Sequence, residues 1–408
     1  MNSQAQLVRK LRRAELQGHL RAYLLIAPLF IFVVLSFLVP LGTVLLNSFH
    51  DPVVPEGLPR TVTALQQWNG PRDSVPPEPV FEALALDMKE AMETEKAGPI
   101  ATRLNFEETG SRTLFMRVAR KVGGQEGGPW RPFFEGIEPA WGQPAIWGTL
   151  RNLQSSNHSL FFLSALDLRR QSSGEIAAQP EDQRIHVDIY LRTMGVALSV
   201  TAMCLLLGFP IAYLLAHLSD KTANLLLILV LLPFWTSLLV RTTAWVVLLQ
   251  KEGVVNSLLG AVGLISEPLP LIFNRFGVVI AMTHILLPFT ILPLYSVMRQ
   301  IPASYVRAAR SLGAGPLLAF VRVYLPQCLP GISAGALLVF ILSLGYYITP
   351  ALVGGATDQM ISYFIADNLG RSLNWGLASA LAAILLGAVL VLYWAYDRVV
   401  GVTNVRLG

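Results

Sequence analysis

The chain has 408 residues, of which 53% are hydrophobic and 14% charged, with a formal net charge of +5. A typical soluble domain carries about 25% charged residues, so this chain lacks the polar surface that a water-soluble protein needs and belongs largely in lipid. Its two cysteines cannot build a disulfide framework or a zinc site.

The positive balance is no sign of a nucleic-acid partner, because it is the sum of two opposed parts. Residues 51–190 hold 14 Lys+Arg against 19 Asp+Glu, a net of −5, which leaves 17 against 7, a net of +10, for the remainder. Those basic residues flank apolar runs and form no single basic face.

In chain order, residues 1–21 form a basic segment with Arg9, Lys10, Arg12, Arg13 and Arg21. Ala22–His50 carries no charge and exceeds the roughly 20 residues needed to cross a bilayer. No small-residue cleavage pattern follows it, so it reads as a retained span. Residues 51–190 then form an extracytoplasmic insert with apolar content enough to fold. Phe81, Leu84, Leu86 and Met92 predict an amphipathic helix over Val80–Lys96, and a second is expected over Thr113–Lys121. Trp130, Phe133, Phe134, Trp141 and Trp147 supply a small aromatic core. The insert reads as a folded decoration without a ligand site, the alternative being an external cap or receptor-contact domain.

Five further spans follow at Thr193–Ala216, Thr222–Gln250, Phe276–Met298, Tyr324–Thr357 and Ser372–Tyr396, the first of these being span two; only Arg241 interrupts span three. The expected fold class is an all-α membrane protein of six transmembrane helices, helix 1 over residues 22–50 and helices 2–6 within 191–400, with a soluble insert between helices 1 and 2. Gly253–Leu264 is too short to cross and is expected at the outer interface; Met360–Leu369 is expected as a half-helix. Lys and Arg gather at the cytoplasmic ends of spans. With the N-terminus inside, the inner segments also hold Lys221, Arg299, Arg307, Arg310, Arg322, Arg398 and Arg406, while the short outer ones hold Lys251, Arg275 and Arg371. Both termini, including the tail 401–408, are then cytoplasmic, as in a bacterial inner-membrane protein.

The cytoplasmic loop 299–323 carries the densest local pattern. Pro302 stops the preceding span, Tyr305–Leu312 is rich in helix formers, Gly313 suits a helix end, and Pro316 suits the first turn of another helix. Two short helices in a hairpin follow. Ala308 and Ala309 let a partner approach, while Arg307, Arg310 and Arg322 can meet acidic groups on it. The plainer reading is a loop whose arginines only mark the inner side.

Arg307-Ala308-Ala309, then Gly313, Val323 and Leu325-Pro326, resembles the signature loop of binding-protein-dependent ABC importer permeases, with every spacing kept and only the leading Glu replaced, by Arg307. Pro233-Phe234-Trp235-Thr236-Ser237 through Arg241 to Trp245, Gly253-Val254-Val255-Asn256 and Tyr347-Ile348-Thr349-Pro350 resemble the spermidine/putrescine-type branch of that family. So do Tyr190-Leu191-Arg192-Thr193 and Asn374-Trp375. The resemblance covers residues 1–50 and 190–408 and leaves the insert outside. It implies the type I permease fold and coupling to an ATPase through Arg307, Ala308, Ala309, Gly313, Leu325 and Pro326. The implied partners are a cytoplasmic ABC ATPase dimer, a second permease subunit that is a paralogue in preference to a copy, and an extracytoplasmic solute-binding protein. No cofactor or metal is implied. Ala351 stands where that branch often has an acidic residue, which counts against a polyamine cation as the solute.

Within the spans, Trp235, Thr236, Arg241, Tyr346 and Tyr347 are the candidate pathway-lining residues, since polar groups in lipid usually face a cavity or a partner. Arg241 has a second reading, in which its guanidinium snorkels to the outer interface. Trp245 reads as an interface aromatic and His284 as a helix–helix hydrogen bonder. None of the six lysines follows a glycine, so the chain has no phosphate loop and any ATPase is separate. The spans hold no Asp or Glu, which disfavours a proton-coupled transporter. A channel or secondary transporter without an ATPase remains the alternative, but neither has a use for the docking loop.

Overall fold

The computed structural model describes residues 23–400, except the side chains of residues 399 and 400. The basic segment 1–21 and the tail 401–408, with Arg406, lie outside the described residues. The chain divides into two compact units, Met1–Phe161 with Ser172–Gly174, and Phe162–Gln171 with Glu175–Gly408.

In the first unit, α1 (Tyr23–Asn47) is long and apolar enough to cross a membrane. The insert then folds into short helices. Several open on proline in the first turn, where its missing N–H costs nothing: α2 (Pro59–Gln67), α3 (Glu78–Glu93) and, later, α7 (Pro144–Asn152). The two helices expected in the insert appear as α3 and α5 (Ser111–Val122), on either side of α4 (Ala97–Glu107). In α3 the residues Val80, Phe81, Leu84, Met88 and Ala91 recur at helical spacing and are buried. The expected aromatic core forms around Phe81: its ring lies 5.6 Å from Phe134 of α6 (Trp130–Ile137) and 4.6 Å from Trp147, and Trp141 bridges Phe134 and Trp147. Trp130 is buried at its edge and Phe133 half-buried.

A polar knot closes the insert where it leaves α1. The Asp51 amide donates to the Ser156 carbonyl at 2.7 Å and the His158 amide to Phe49 at 3.0 Å. The Asp51 carboxylate accepts from Arg103 Nε and lies 3.3 Å from His158 Nε2, all three side chains being buried. Arg103 also reaches Glu107 at 2.8 Å and covers the Phe161 ring at 4.7 Å. Burial alone would raise the Asp51 pKa, but the hydrogen bond from His158 and the Arg103 charge outweigh it and hold the carboxyl at about 2.

In the second unit, the hairpin of β1 (Leu168–Arg170) and β2 (Ile176–Ala178) leads into α8 (His186–His217). Asp167 caps that helix: its carboxylate accepts the amides of Ile185, His186 and Val187 at 3.2, 3.0 and 2.8 Å, satisfying donors that a helix start leaves orphaned. The centre of the unit is α8 packed with α12 (Arg275–Gln300) and α15 (Leu325–Gly345). Val196, Val200, Cys204, Val278, Met282, Leu286 and Val339 form its buried core. Lipid offers no hydrophobic drive for helices to associate, so close approach of small residues matters. A Cβ at Gly331 would stand 3.2 Å from Leu294 Cα, and one at Gly335 3.3 Å from Thr290 Cα.

Among the described residues five helices are long and apolar enough to cross a membrane, six if a bent pair is counted as one span. That pair corrects the expected continuous third span. α9 (Asp220–Leu231) runs into a 3-10 turn at Leu232–Trp235, and α10 (Leu238–Leu249) leaves at 95°. Pro233 lacks the N–H that would continue the helix, and Ser237 starts the new one by accepting the Val240 amide at 3.2 Å. The expected fifth span also breaks: α15 ends at Gly345, Tyr346 and Tyr347 are non-helical, and α16 (Ile348–Val353) follows. Beyond lie α17 (Ile361–Gly370), the expected half-helix, and α18 (Trp375–Val400). Gly253–Leu264 contains α11 (Val254–Ala261), while Pro288 and Pro293 lie within a continuous α12.

The knot makes a pH-dependent prediction. A carboxyl lowered from 3.8 to about 2 stabilises the insert fully above pH 4 and loses that contribution as pH falls towards 2. Asp51→Asn should therefore destabilise the insert at pH 7 by about 2 kcal/mol, with the gap to wild type narrowing in acid. Urea-dependent proteolysis of the purified chain, read over residues 51–161, measures both.

Candidate functional site

The hairpin forms as the residues predict. α13 (Ala303–Ser311) follows Pro302 and ends at Leu312. Gly313 takes φ of +90°, its amide donates to the Arg310 carbonyl at 3.0 Å, and the Ala314 amide donates to Ala309 at 3.1 Å. This pair of bonds is the Schellman ending, and it needs a residue that accepts positive φ at little cost. Pro316 opens α14 (Pro316–Ala319), a π turn spans Phe320–Tyr324, and Leu325-Pro326 begin α15.

The hairpin leaves apolar groups in the open. Leu312 is 89% exposed and Leu317 76%, with Tyr305 also exposed. Arg307, Ala308 and Arg310 are exposed beside them and Ala309 is half-buried. Among the described residues Arg307 and Arg310 form no ion pair. Small side chains, arginines without ion pairs among the described residues and exposed leucines thus lie together on a segment outside the apolar runs.

The second group of candidates lies near the two helix breaks. Arg241, in the first turn of α10, is half-buried with its guanidinium 5.9 Å from the Phe234 ring centroid, and its Nε is buried without a partner among the described residues. Its charge is within electrostatic reach of His284 and of Tyr346. The Trp245 indole donates to His284 Nδ1 at 3.1 Å. Because an indole N–H only donates, His284 keeps its lone pair on Nδ1 and its proton on Nε2. One buried contact joins the helices that resume after each break, Thr242 Oγ1 of α10 to Thr349 Oγ1 of α16 at 3.1 Å.

The structure thus gathers Arg241, Tyr346, Phe234, Trp245 and His284 into one neighbourhood. Trp235 does not join it: it is 88% exposed. Thr236 is spent locally, bonding the Pro233 carbonyl at 2.8 Å, and Tyr347 is exposed at the second break. Trp245 binds His284 instead of serving only as an interface aromatic, and His284 is the interhelical hydrogen bonder expected. The Thr242–Thr349 pair escaped the sequence reading, since nothing local links hydroxyls 107 residues apart.

Residues 208–401 match the model of the family described as binding-protein-dependent transport system inner membrane component. The spermidine/putrescine transport system permease protein PotB of Escherichia coli (strain K12) is 35% identical over 217 residues, covering 52% of this chain and 79% of the relative. The inner membrane ABC transporter permease protein YdcU of the same organism is 34% identical over 228 residues, 52% of this chain and 72% of its own. A chain from a bacterial alginate ABC transporter, solved with an alginate-bound periplasmic protein, overlays with a TM-score of 0.41 at 19% identity, across 52% of this chain and 78% of that one. The spaced loop, the apolar helices and the identity to permeases over most of their length lead to one conclusion: the chain belongs to the binding-protein-dependent inner membrane components and is a multi-pass permease subunit of an ABC importer, not an enzyme.

Proposed function

We propose that this subunit is one of two permease chains, paired with a paralogue, that carry a small organic solute inward by alternating access, and that α13 and α14 are where the ATPase docks. The N- and C-termini are cytoplasmic and residues 51–190 extracytoplasmic, as the Lys/Arg tally orients them. A solute-binding protein delivers the solute to the outer mouth. ATP binding draws the docked hairpins together and reverses the access of the pathway.

The observation that carries this reading is the hairpin itself: a glycine-terminated helix that keeps the family spacing and exposes Leu312 and Leu317 beside unpaired arginines. A pore without an ATPase has no reason to expose them. The relatives named for spermidine and putrescine suggest a polyamine-like solute, while Arg241 and the absence of Asp or Glu from the expected spans favour a related amino or carboxylate compound. An unpaired guanidinium beside Tyr346 suits a carboxylate, and the aromatic faces around it suit an ammonium group.

Two expectations follow. Arg241→Leu and Tyr346→Phe should leave membrane abundance intact and cut uptake by about tenfold, the worth of one hydrogen bond to a charged group; a panel of putrescine, spermidine and amino acids in proteoliposomes measures it, and normal uptake in both variants would leave Arg241 as a snorkelling residue. Gly313→Asp, which adds charge and about 1 kcal/mol of backbone strain, and Arg307→Glu, which inverts the docking charge, should both weaken solute-stimulated ATP hydrolysis in the reconstituted complex. Full stimulation with stoichiometric ATPase in both variants would remove the docking assignment.

A further inference from the structure

The inner end of α8 carries a row of rings that neither the docking surface nor the solute neighbourhood uses. Phe209, Tyr213 and His217 stand four residues apart, on one face of the helix. The π turn after α14 presents two more rings, Phe320 and Tyr324, stacked at 5.7 Å with 22° between their planes. The Tyr213 ring meets both edge-on, at 6.0 Å from Phe320 and 5.4 Å from Tyr324. Phe209 meets Phe320 at 6.1 Å, and His217 lies 4.2 Å from Tyr213 and 5.8 Å from Tyr324. Edge-to-face geometry of this kind is directional, so a sideways shift of the hairpin against α8 would break several contacts at once.

Other bonds hold the same end. Val306 of α13 packs on the buried group that includes Ala212, Leu215 and Tyr324. Arg299 at the end of α12 donates to the carbonyls of Ala216 and Leu218 at 3.2 and 3.3 Å and pairs with Asp220. The hairpin, the start of α15 and the inner end of α8 are thereby interlocked.

At its other end the same helix is bonded to the outer segments. Tyr190 donates to the Leu381 carbonyl of α18 at 2.8 Å, Arg192 to the Gln359 carbonyl at 3.2 Å, and Thr193 Oγ1 accepts the Ile361 amide that opens α17 at 2.9 Å. Between the two ends α8 is one helix of 32 residues that continues through Pro210, about 48 Å long.

We propose that α8 is the rod that carries the hairpin's movement to the outer mouth, and that Tyr213, gripped between Phe320 and Tyr324, is the positioning residue that fastens it. The rings move with the hairpin as one body, and α17 receives the displacement through Thr193 and Arg192. This inference rests on the docking of the ATPase at α13 and α14, and its test is chosen so that failure of docking shows separately, as loss of the co-purified ATPase.

The test uses the whole importer in proteoliposomes with Asn368→Cys on α17 as reporter, both native cysteines being buried. A membrane-impermeant maleimide is applied before and after trapping with ATP and vanadate. Trapping should change the labelling rate of the reporter by about tenfold; Tyr213→Ala should abolish that change while the ATPase remains bound and active, and Tyr213→Phe, which keeps the ring, should preserve it. An unchanged response in Tyr213→Ala, or no response in the parent with the ATPase bound, would overturn the proposal. A second arm bridges Tyr213→Cys to Phe320→Cys with a short bis-maleimide. Bridged protein should still respond to trapping, because the joined elements move together; a response frozen by the bridge would mean that they slide past each other and α8 is no rod.

Discussion

Everything in this subunit answers to one constraint: in lipid an unpaired backbone N–H or C=O has no water to turn to. Helices satisfy that condition by themselves, and a break in a helix needs a special reason and local repair. The chain breaks its apolar segments at Leu232–Ser237 and at Tyr346-Tyr347. At the first break Ser237 and Thr236 supply the missing partners from their side chains, and Pro233 has no donor to leave unsatisfied. The helices that resume after the two breaks are tied by Thr242 and Thr349, and the polar candidates Arg241 and Tyr346 lie beside the breaks. Irregular backbone within a membrane is tolerated where it lines a protected or wet space, and on the reading proposed above the breaks and the solute neighbourhood are one feature.

The same constraint explains what was legible in the sequence. Long charge-free runs with arginines at their ends located the apolar helices, because length and composition alone decide whether a segment can cross. The hairpin was legible residue by residue: proline, helix formers, glycine and proline again describe two short helices, and Gly313 adopts the positive φ expected of it. In the insert, helical spacing identified α3 and α5, and clustered tryptophans identified the core. The 95° bend was not legible, because Thr222–Gln250 is apolar on both sides of it and hydropathy carries no direction. Proline at 233 was a sign, yet Pro288 and Pro293 sit inside an unbroken α12, so proline alone does not locate a break. Nor could spacing reveal contacts between distant segments, whether Thr242 with Thr349, Trp245 with His284, or Asp51 with Arg103 and His158.

Packing of α8, α12 and α15 through glycines at close approach gives a stiff centre. The hairpin is fixed to one end of that centre by aromatic contacts, and α16 and α17 join the other end through the buried side chains of Val353 and Ile361 and through the Ile361 amide bonded to Thr193. On the reading proposed above, a displacement imposed at the hairpin is carried by this stiff centre to α16 and α17.

The central claim is that the exposed tip of the hairpin is where power enters. A photo-cross-linking amino acid at Leu312, placed in the assembled importer, tests it most directly. The account predicts a cross-link to the ATPase subunit, with a yield that changes when ATP and vanadate are added. Cross-links confined to lipid or to the permease itself, with an active ATPase in the same complex, would contradict it.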